Sequence, residues 1–296
     1  MRKITIITGA SSGMGAEFAR QIARDKKNAG SEIWLFARNG EKLETVKSEI
    51  ENEQTENTQT ESGKVKVESL KASDGKSPDK TTIFPKVKII PMNLSGKDGV
   101  SRFSSFLSTE KFSGEFEVDL IVNNAGFGTY GEFATTPLDR EIDMIELNCT
   151  SLTGLCGAVL PYLHKGSSII NVASLAAFLP LGNFAVYAAT KAYVLSFSVA
   201  LAAELKDRGI KVSALCPGSV STDFANVASN GARKEVLHGK DPVKVVAHCL
   251  KKARRGKKII LWSPKWKFTA FMSRFIGRYL GARYTFKYNK RPSEWR

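Results

Sequence analysis

Tyr187 and Lys191 stand four residues apart in Tyr187-Ala-Ala-Thr-Lys191, so on a helix the phenol and the ammonium share one face. A free tyrosine ionises near pH ~10, too high for efficient proton transfer at neutral pH. A lysine held beside it stabilises the phenolate and lowers that pKa. Alone, the pattern is common on helix surfaces. Ser174, just past the strand-like run Ser168–Val172, gives it weight by adding a third polar group at one strand end.

A second constellation opens the chain. The β-branched run Lys3–Thr8 leads into Thr8-Gly9-Ala10-Ser11-Ser12-Gly13-Met14-Gly15, followed by helical spacing of Phe18, Ala19, Ile22 and Ala23. Glycines at that spacing let the chain turn tightly and let a pyrophosphate approach the backbone, while the helix aims its first amides at the anion. The next strand-like run, Glu32–Ala37, ends at Ala37-Arg38. An acid there would bind an adenosine ribose 2′-hydroxyl and repel a 2′-phosphate. A guanidinium matches phosphate geometry, so Arg38 points to NADP(H) as the cofactor.

These groups need a scaffold, and the chain supplies alternating elements. Further strands are expected at Val87–Ile90, Leu120–Asn123, Ser168–Val172, Lys211–Cys216 and Lys258–Trp262. Helical segments include Glu41–Ile50, Val100–Leu107 and one starting at Asp241-Pro242, an N-cap followed by proline. Such alternation implies right-handed βαβ units in a doubly wound parallel α/β sheet. Residues 51–85, rich in Glu, Asn, Gln, Thr, Ser and Lys, break the rhythm and are expected to form a solvated insertion. Within them Lys64–Leu70 alternates enough to rival Val87–Ile90 as the third strand. The later run is preferred because a helix and a strand follow it directly.

Composition narrows the function classes. With 296 residues, 42% hydrophobic and 25% charged, the chain can bury a large core without disulfides or structural metal. Its four cysteines form no CxxC pair and its three histidines are scattered, which predicts no metal site and a reducing compartment. The uncharged stretches Leu147–His164 and Gly166–Thr190 are interrupted by polar residues, Gly and Pro, and no signal peptide is read. The expectation is a soluble, cytoplasmic protein. The net charge of +15 is concentrated at one end: residues 1–249 hold 29 Lys/Arg and 28 Asp/Glu, residues 250–296 hold 15 and one. No nucleic-acid motif accompanies that charge, and no nucleic-acid partner is expected.

The motifs Thr8–Gly15, Asn123-Asn124-Ala125-Gly126, Asn148, Ser174, Tyr187-Ala-Ala-Thr-Lys191 and Pro217-Gly218 occur in the order and spacing of the short-chain dehydrogenase/reductase family, which the sequence resembles over roughly residues 3–262. The resemblance implies a Rossmann-like doubly wound sheet of seven strands in the order 3-2-1-4-5-6-7. It implies Asn148, Ser174, Tyr187 and Lys191 as the catalytic set. Tyr187 would exchange the proton, Lys191 would also hold the nicotinamide ribose, Ser174 would bind the substrate oxygen, and Asn148 would hold a relay water. It places the cofactor against Gly9, Ser11, Ser12, Gly13, Met14, Gly15, Asn93, Leu94, Asn124, Ala125, Gly126, Pro217, Gly218, Val220 and Thr222, as well as Arg38, Tyr187 and Lys191. Asn93 departs from the aspartate usual in the family; its carbonyl still accepts a hydrogen bond from adenine. The implied activity is hydride transfer between a carbonyl and an alcohol, in a subgroup similar to ketoacyl reductases and hydroxysteroid dehydrogenases, by a homodimer or homotetramer. The rival is a nucleotide sensor of the same fold without catalysis, which would not need all four catalytic residues.

On the substrate side the sequence offers apolar residues: Phe224, Val227 and Leu237 in the loop Ser219–Lys240, and Phe127, Tyr130, Phe133, Phe178, Leu179, Leu181 and Phe184 beside the motifs. They suit a lipophilic substrate, and serve equally as core or interface. Beyond the domain at 1–262, residues 263–296 form a basic aromatic extension. Trp266, Ala270, Phe271, Phe275, Tyr279 and Leu280 recur at near-helical spacing among Lys265, Lys267, Arg274 and Arg278. That is the pattern of a helix on an anionic membrane surface. It is also that of a helix packed on the domain or a second subunit.

Overall fold

The computed structural model describes residues 1–69, 84–234, 236 and 238–295. Seven parallel strands form one sheet: β1 (Arg2–Thr8), β2 (Glu32–Ala37), β3 (Lys86–Pro91), β4 (Phe116–Asn123), β5 (Leu163–Val172), β6 (Lys211–Leu215) and β7 (Ile259–Ile260). Their order is β3-β2-β1-β4-β5-β6-β7, as expected from the resemblance. The chain order reverses between β1 and β4, so the loops leaving these strands diverge and open a crevice at their C-terminal ends.

Helices cover both faces, which is why the central strands read as continuous apolar runs. On one face lie α1 (Gly13–Arg24), α2 (Gly40–Ser69) and, later in the chain, α8 (Pro242–Arg254). On the other lie α3 (Gly96–Phe112), α4 (Leu138–Ile145), α5 (Leu152–Val159) and α6 (Ala185–Glu204). The short α7 (Phe224–Ser229) rides over the crevice; α9 (Pro264–Met272) and α10 (Arg278–Tyr288) end the chain. Phe18, Ile22, Leu43 and Val246 fill one layer, and Trp34, Phe36, Phe103 and Val194 the other. Asp241 caps α8 as the sequence predicts, its carboxylate accepting from the Val243 N–H at 2.9 Å.

Three expectations are corrected. The solvated insertion does not begin at residue 51: α2 continues to Ser69 and so includes residues 64–69 of the rival strand. Its Glu, Gln and Lys are strong helix formers. Its first part is docked by ion pairs from α1, Arg20 to Glu49 at 2.7 Å and Arg24 to Glu53 at 2.6 Å. The remainder of the expected insertion, residues 70–83, lies outside the described residues. The extension is two helices rather than one, interrupted at Ser273–Gly277. Nor does the fold stop at Trp262. Trp266 and Ala270 are 5% exposed and join the core, and a Cβ on Gly218 would stand 2.4 Å from the Trp266 indole nitrogen.

By length and composition, α6 is apolar enough to cross a membrane. It instead packs along β5 and β6 with Val194, Ser198 and Leu201 inward, as a core helix does. All four cysteines are free.

Candidate active site

The glycine turn and the β4 end are laced together through one hydroxyl. Thr8 Oγ1 accepts from the backbone N–H groups of Asn124 and Ala125, both at 3.0 Å, and donates to the Val122 carbonyl at 3.4 Å. Asn124 returns the contact, its amide donating to the carbonyls of Thr8 at 3.2 Å and Gly9 at 3.1 Å. No side chain fits between the two turns. A Cβ on Gly15 would lie 2.1 Å from the Gly9 carbonyl, and Gly9 has φ +63° with Ala125 packed against it. Ser12 stands at the N-cap of α1 without its hydroxyl capping the helix, so the first amides of α1 face the crevice uncapped. A backbone cradle that admits no Cβ, beside an uncapped helix start, fits a dinucleotide pyrophosphate. Ser11, Gly13 and Met14 belong to this turn, and Thr222 packs over Gly13.

Around the cradle the other expected cofactor residues are spread along the crevice. Arg38 is exposed just past the end of β2; burial first, and then the Arg38 charge, lowers the pKa of Arg140. Asn93 is exposed, and its side-chain oxygen accepts from the Ser95 N–H at 3.1 Å, so it also holds the turn into α3; Leu94 is buried. Gly126 lies against Asn148 and the Lys191 ammonium. Pro217 accepts from the Leu175 N–H at 2.7 Å, and Val220 is buried in a bridge to Lys240.

All four expected catalytic residues come together behind this crevice. Asn148 sits in a π-helical turn, Glu146–Ser151, between α4 and α5. The widened turn points its amide inward, where Nδ2 donates to the Phe127 carbonyl at 2.9 Å and to Thr190 at 3.1 Å, and Oδ1 accepts from the Phe127 N–H at 3.1 Å. The Asn148 side chain is thereby committed to holding the β4 loop against α6. Ser174 follows β5; its hydroxyl reaches the Pro217 carbonyl at 3.4 Å and caps a short 3-10 turn.

Tyr187 and Lys191 share one buried face of α6. The lysine Nζ lies 5.6 Å from the centre of the Tyr187 ring and donates to the Val172 carbonyl at 2.8 Å. Burial dominates both groups. It raises the Tyr187 phenol well above its ordinary value, with the Ser174 hydroxyl opposing, and lowers Lys191 to about 8. In this arrangement the Lys191 ammonium donates to the Val172 carbonyl, and dry surroundings penalise both charges.

Aromatic rings wall the site. Phe184 stacks on Tyr187 with centroids 4.1 Å apart, Tyr130 meets Phe184 edge-on at 4.7 Å, and Phe224 lies 5.4 Å from Tyr187. Phe127 and Leu181 join this cluster. Phe178 packs instead against the core layer of α5 and α6, Phe133 and Val227 are exposed, and Leu237 lies outside the described residues. Residues 291–295, which no motif marks in the sequence, also reach this cluster. The Arg291 guanidinium lies 5.0 Å over the Phe184 ring and 5.6 Å over Tyr130, while Arg140 is sandwiched between Phe127 at 4.2 Å and Trp295 at 4.6 Å. Nothing in the pattern of residues 263–296, with nine basic side chains, distinguishes Arg291 from its neighbours.

The sequence matches the short chain dehydrogenase family profile over residues 3–75 and 76–232. The chain belongs to that family. It is 28% identical, over 79% of its length and 85% of the relative's, to an uncharacterized oxidoreductase of Staphylococcus epidermidis. Among solved structures it is similar to a short-chain dehydrogenase from Sphingobium yanoikuyae in complex with NADPH, at TM-score 0.69 and 24% identity over 93% of this chain and 94% of that one. A short-chain dehydrogenase/reductase from Burkholderia phymatum in complex with NAD gives TM-score 0.69 at 20% identity, covering 92% of each. This short-chain dehydrogenase is thus an oxidoreductase by family.

Burial of Lys191 carries a measurable consequence. Its pKa in the fold lies below the ordinary 10.5, so between pH 10.5 and about 8 the unfolded chain binds a proton that the folded chain does not. The residue's contribution to stability therefore falls as pH drops through that window and is level below it. Unfolding free energies of wild type and Lys191→Met, compared from pH 8 to pH 10.5, should diverge in favour of wild type as pH rises. Parallel curves would mean that Lys191 titrates alike in both states.

Proposed function

We propose that this short-chain dehydrogenase interconverts a carbonyl and an alcohol on a lipophilic substrate, such as a steroid or fatty-acyl compound, with NADP(H) as the hydride carrier. The observation that carries the reading is Tyr187, Lys191, Ser174 and Asn148 meeting beside the glycine cradle under an apolar aromatic wall. When bound, the nicotinamide supplies or accepts the hydride. The Tyr187 hydroxyl gives its proton to the carbonyl oxygen in reduction and takes it back in oxidation. Ser174 donates to the same oxygen and stabilises the charge that develops there. A Lys191 ammonium, turned toward the ribose hydroxyls and the phenol, lowers the Tyr187 pKa, and Asn148 holds the β4 loop and α6 at the spacing this requires. The free thiols accord with a cytoplasmic location.

Tyr187→Phe removes the transferable proton and little bulk, so turnover of a ketone with NADPH should be lost while NADPH affinity, measured by fluorescence titration, stays within about twofold of wild type. Near wild-type kcat in this variant would sink the assignment of Tyr187 as proton donor, whereas NADPH binding by the wild type with no turnover of any ketone would favour the nucleotide-sensor reading.

Arg38 selects NADPH over NADH by a charge-assisted contact with the 2′-phosphate, which contributes about ten- to a hundredfold in affinity. The double change Ala37→Asp with Arg38→Leu should reverse the preference. Equal affinity of the unmodified protein for both cofactors would reduce Arg38 to a surface residue.

The reading extends to assembly. Ile142 and Ile145 on α4 and Tyr193 and Val199 on α6 are exposed apolar side chains suited to a homodimer or homotetramer contact. The outer faces of α9, α10 and the break between them carry a different surface. Phe268, Phe271, Phe275, Tyr279 and Leu280 are each more than half exposed, and the segment 263–296 holds nine basic residues against one acid. Apolar side chains interleaved with that charge suit an anionic bilayer surface. Phosphatidylserine vesicles should sediment the protein at low salt and less at high salt, and Phe271→Ser with Phe275→Ser should abolish it. No sedimentation, with those changes instead dissociating the oligomer, would assign the face to a second copy of the chain.

A further inference from the structure

The last residues of the chain are strapped across the substrate side of the site. Asn183 donates to the Phe286 carbonyl at 3.1 Å, the Gly182 N–H to Thr285 at 2.9 Å, the Glu294 N–H to the Ser229 carbonyl at 3.0 Å, and the Trp295 indole to the Ala228 carbonyl at 2.9 Å. Between these anchors Arg291 turns inward onto Phe184 and Tyr130, the rings that pack with Tyr187. Its Nη1 is buried without a hydrogen-bond partner. The groups that act on it electrostatically are Tyr130, Tyr187 and another cation, Arg233; no carboxylate among the described residues pairs with it. Arg140, on the far side of Phe127, also has a buried nitrogen, Nε, without a partner.

Partly burying a guanidinium against aromatic rings, with one nitrogen out of water and no acid beside it, carries a cost that an anionic group would relieve. Cation–π contact offsets part of that cost, but the buried Nη1 donor is left without a partner beside the rings that pack with Tyr187. The basic side chains of α9 and α10 lie on exposed faces, whereas Arg291, just beyond α10, is turned onto the rings of the site. We propose that Arg291 is a specificity-determining residue that binds an oxyanion, carboxylate or phosphate, carried by the substrate. Resting on the oxidoreductase reading, this narrows the substrate to an amphiphile: an apolar body along Phe184, Tyr130 and Phe127, a carbonyl or alcohol at Tyr187, and an anionic group at Arg291. The strap thereby makes the end of the chain part of substrate recognition.

The test is a binding measurement, independent of turnover. Octanoate, octyl phosphate and octanamide are titrated calorimetrically into the full-length protein, with and without NADP+. At least one of the two anions should bind about tenfold or more tightly than the neutral amide, and the stronger of them identifies the oxyanion. Arg291→Gln should remove that advantage without changing the affinity for octanamide, and Arg291→Lys should restore part of it. Octanamide binding wild type as tightly as either anion, no anion binding at all, or anion affinity unchanged in Arg291→Gln would each overturn the proposal. Should the glutamine variant fail to fold, the comparison of anion with amide on wild type still decides. Failure of the oxidoreductase reading has a different signature: intact anion binding with no ketone-dependent NADPH oxidation.

Discussion

The contact on which the site depends is the clasp made by the Thr8 hydroxyl on the end of β4. In a doubly wound sheet the crevice at the reversal of strand order exists only if the loops leaving β1 and β4 stay at fixed separation. Thr8 sets that separation by accepting two backbone N–H groups from Asn124 and Ala125, and Asn124 answers by bonding the Thr8 and Gly9 carbonyls. The glycines follow from this closeness rather than from flexibility. Gly15 faces the Gly9 carbonyl where a methyl group has no room, and Gly9 alone of the two also needs a positive φ.

A second fixed separation, between the β4 loop and α6, is set by Asn148. Its inward aim requires the extra residue of a π-helical turn, a local cost that its three hydrogen bonds offset. Farther in, Asn123 donates to Asn171 at 2.8 Å and Asn171 to Ser198 at 3.0 Å, tying β4, β5 and α6 beneath Tyr187 and Lys191. The helix that carries Tyr187 and Lys191 is therefore pinned at two depths. Burial then pushes both groups toward their neutral forms, so the charge relation between them is set by what lies in the crevice and by which way the Lys191 ammonium turns.

The strands were legible from local signals, β-branched runs with glycines after the first and helical spacing between them. Their order and the grouping of Asn148, Ser174, Tyr187 and Lys191 came from the family resemblance, because no local signal says which strands pair or which distant residues meet. The course of α2 to Ser69 was not, since a polar stretch with good helix propensity and no apolar face reads equally as a loop. The break at Ser273–Gly277 was hidden for the opposite reason. The spacing of Phe271, Phe275 and Tyr279 continues across it, while the residues that fix each helix, Trp266 and Ala270 before it and Gly281 after it, are chosen by the surface beneath them. Of the aromatics flagged beside the motifs, only the fold could separate Phe184 and Tyr130, at the site, from Phe178 in the core and Phe133 on the surface.

The extension illustrates how one segment serves two surfaces. Trp266 fills the space over Gly218, where the turn after β6 must stay close-packed, so α9 cannot leave without opening the end of the crevice. With α9 fixed, α10 is carried past Leu179 and Gly182, where a Cβ on Gly182 would meet Phe286 at 2.4 Å, and the remaining residues reach the site as a strap. Inward-facing positions are thus constrained by packing on the turns that frame the crevice, which leaves the outward positions free in composition. That those free positions hold exposed phenylalanine and tyrosine among lysine and arginine, rather than the mixed charges of an ordinary solvated face, is what the fold itself does not require.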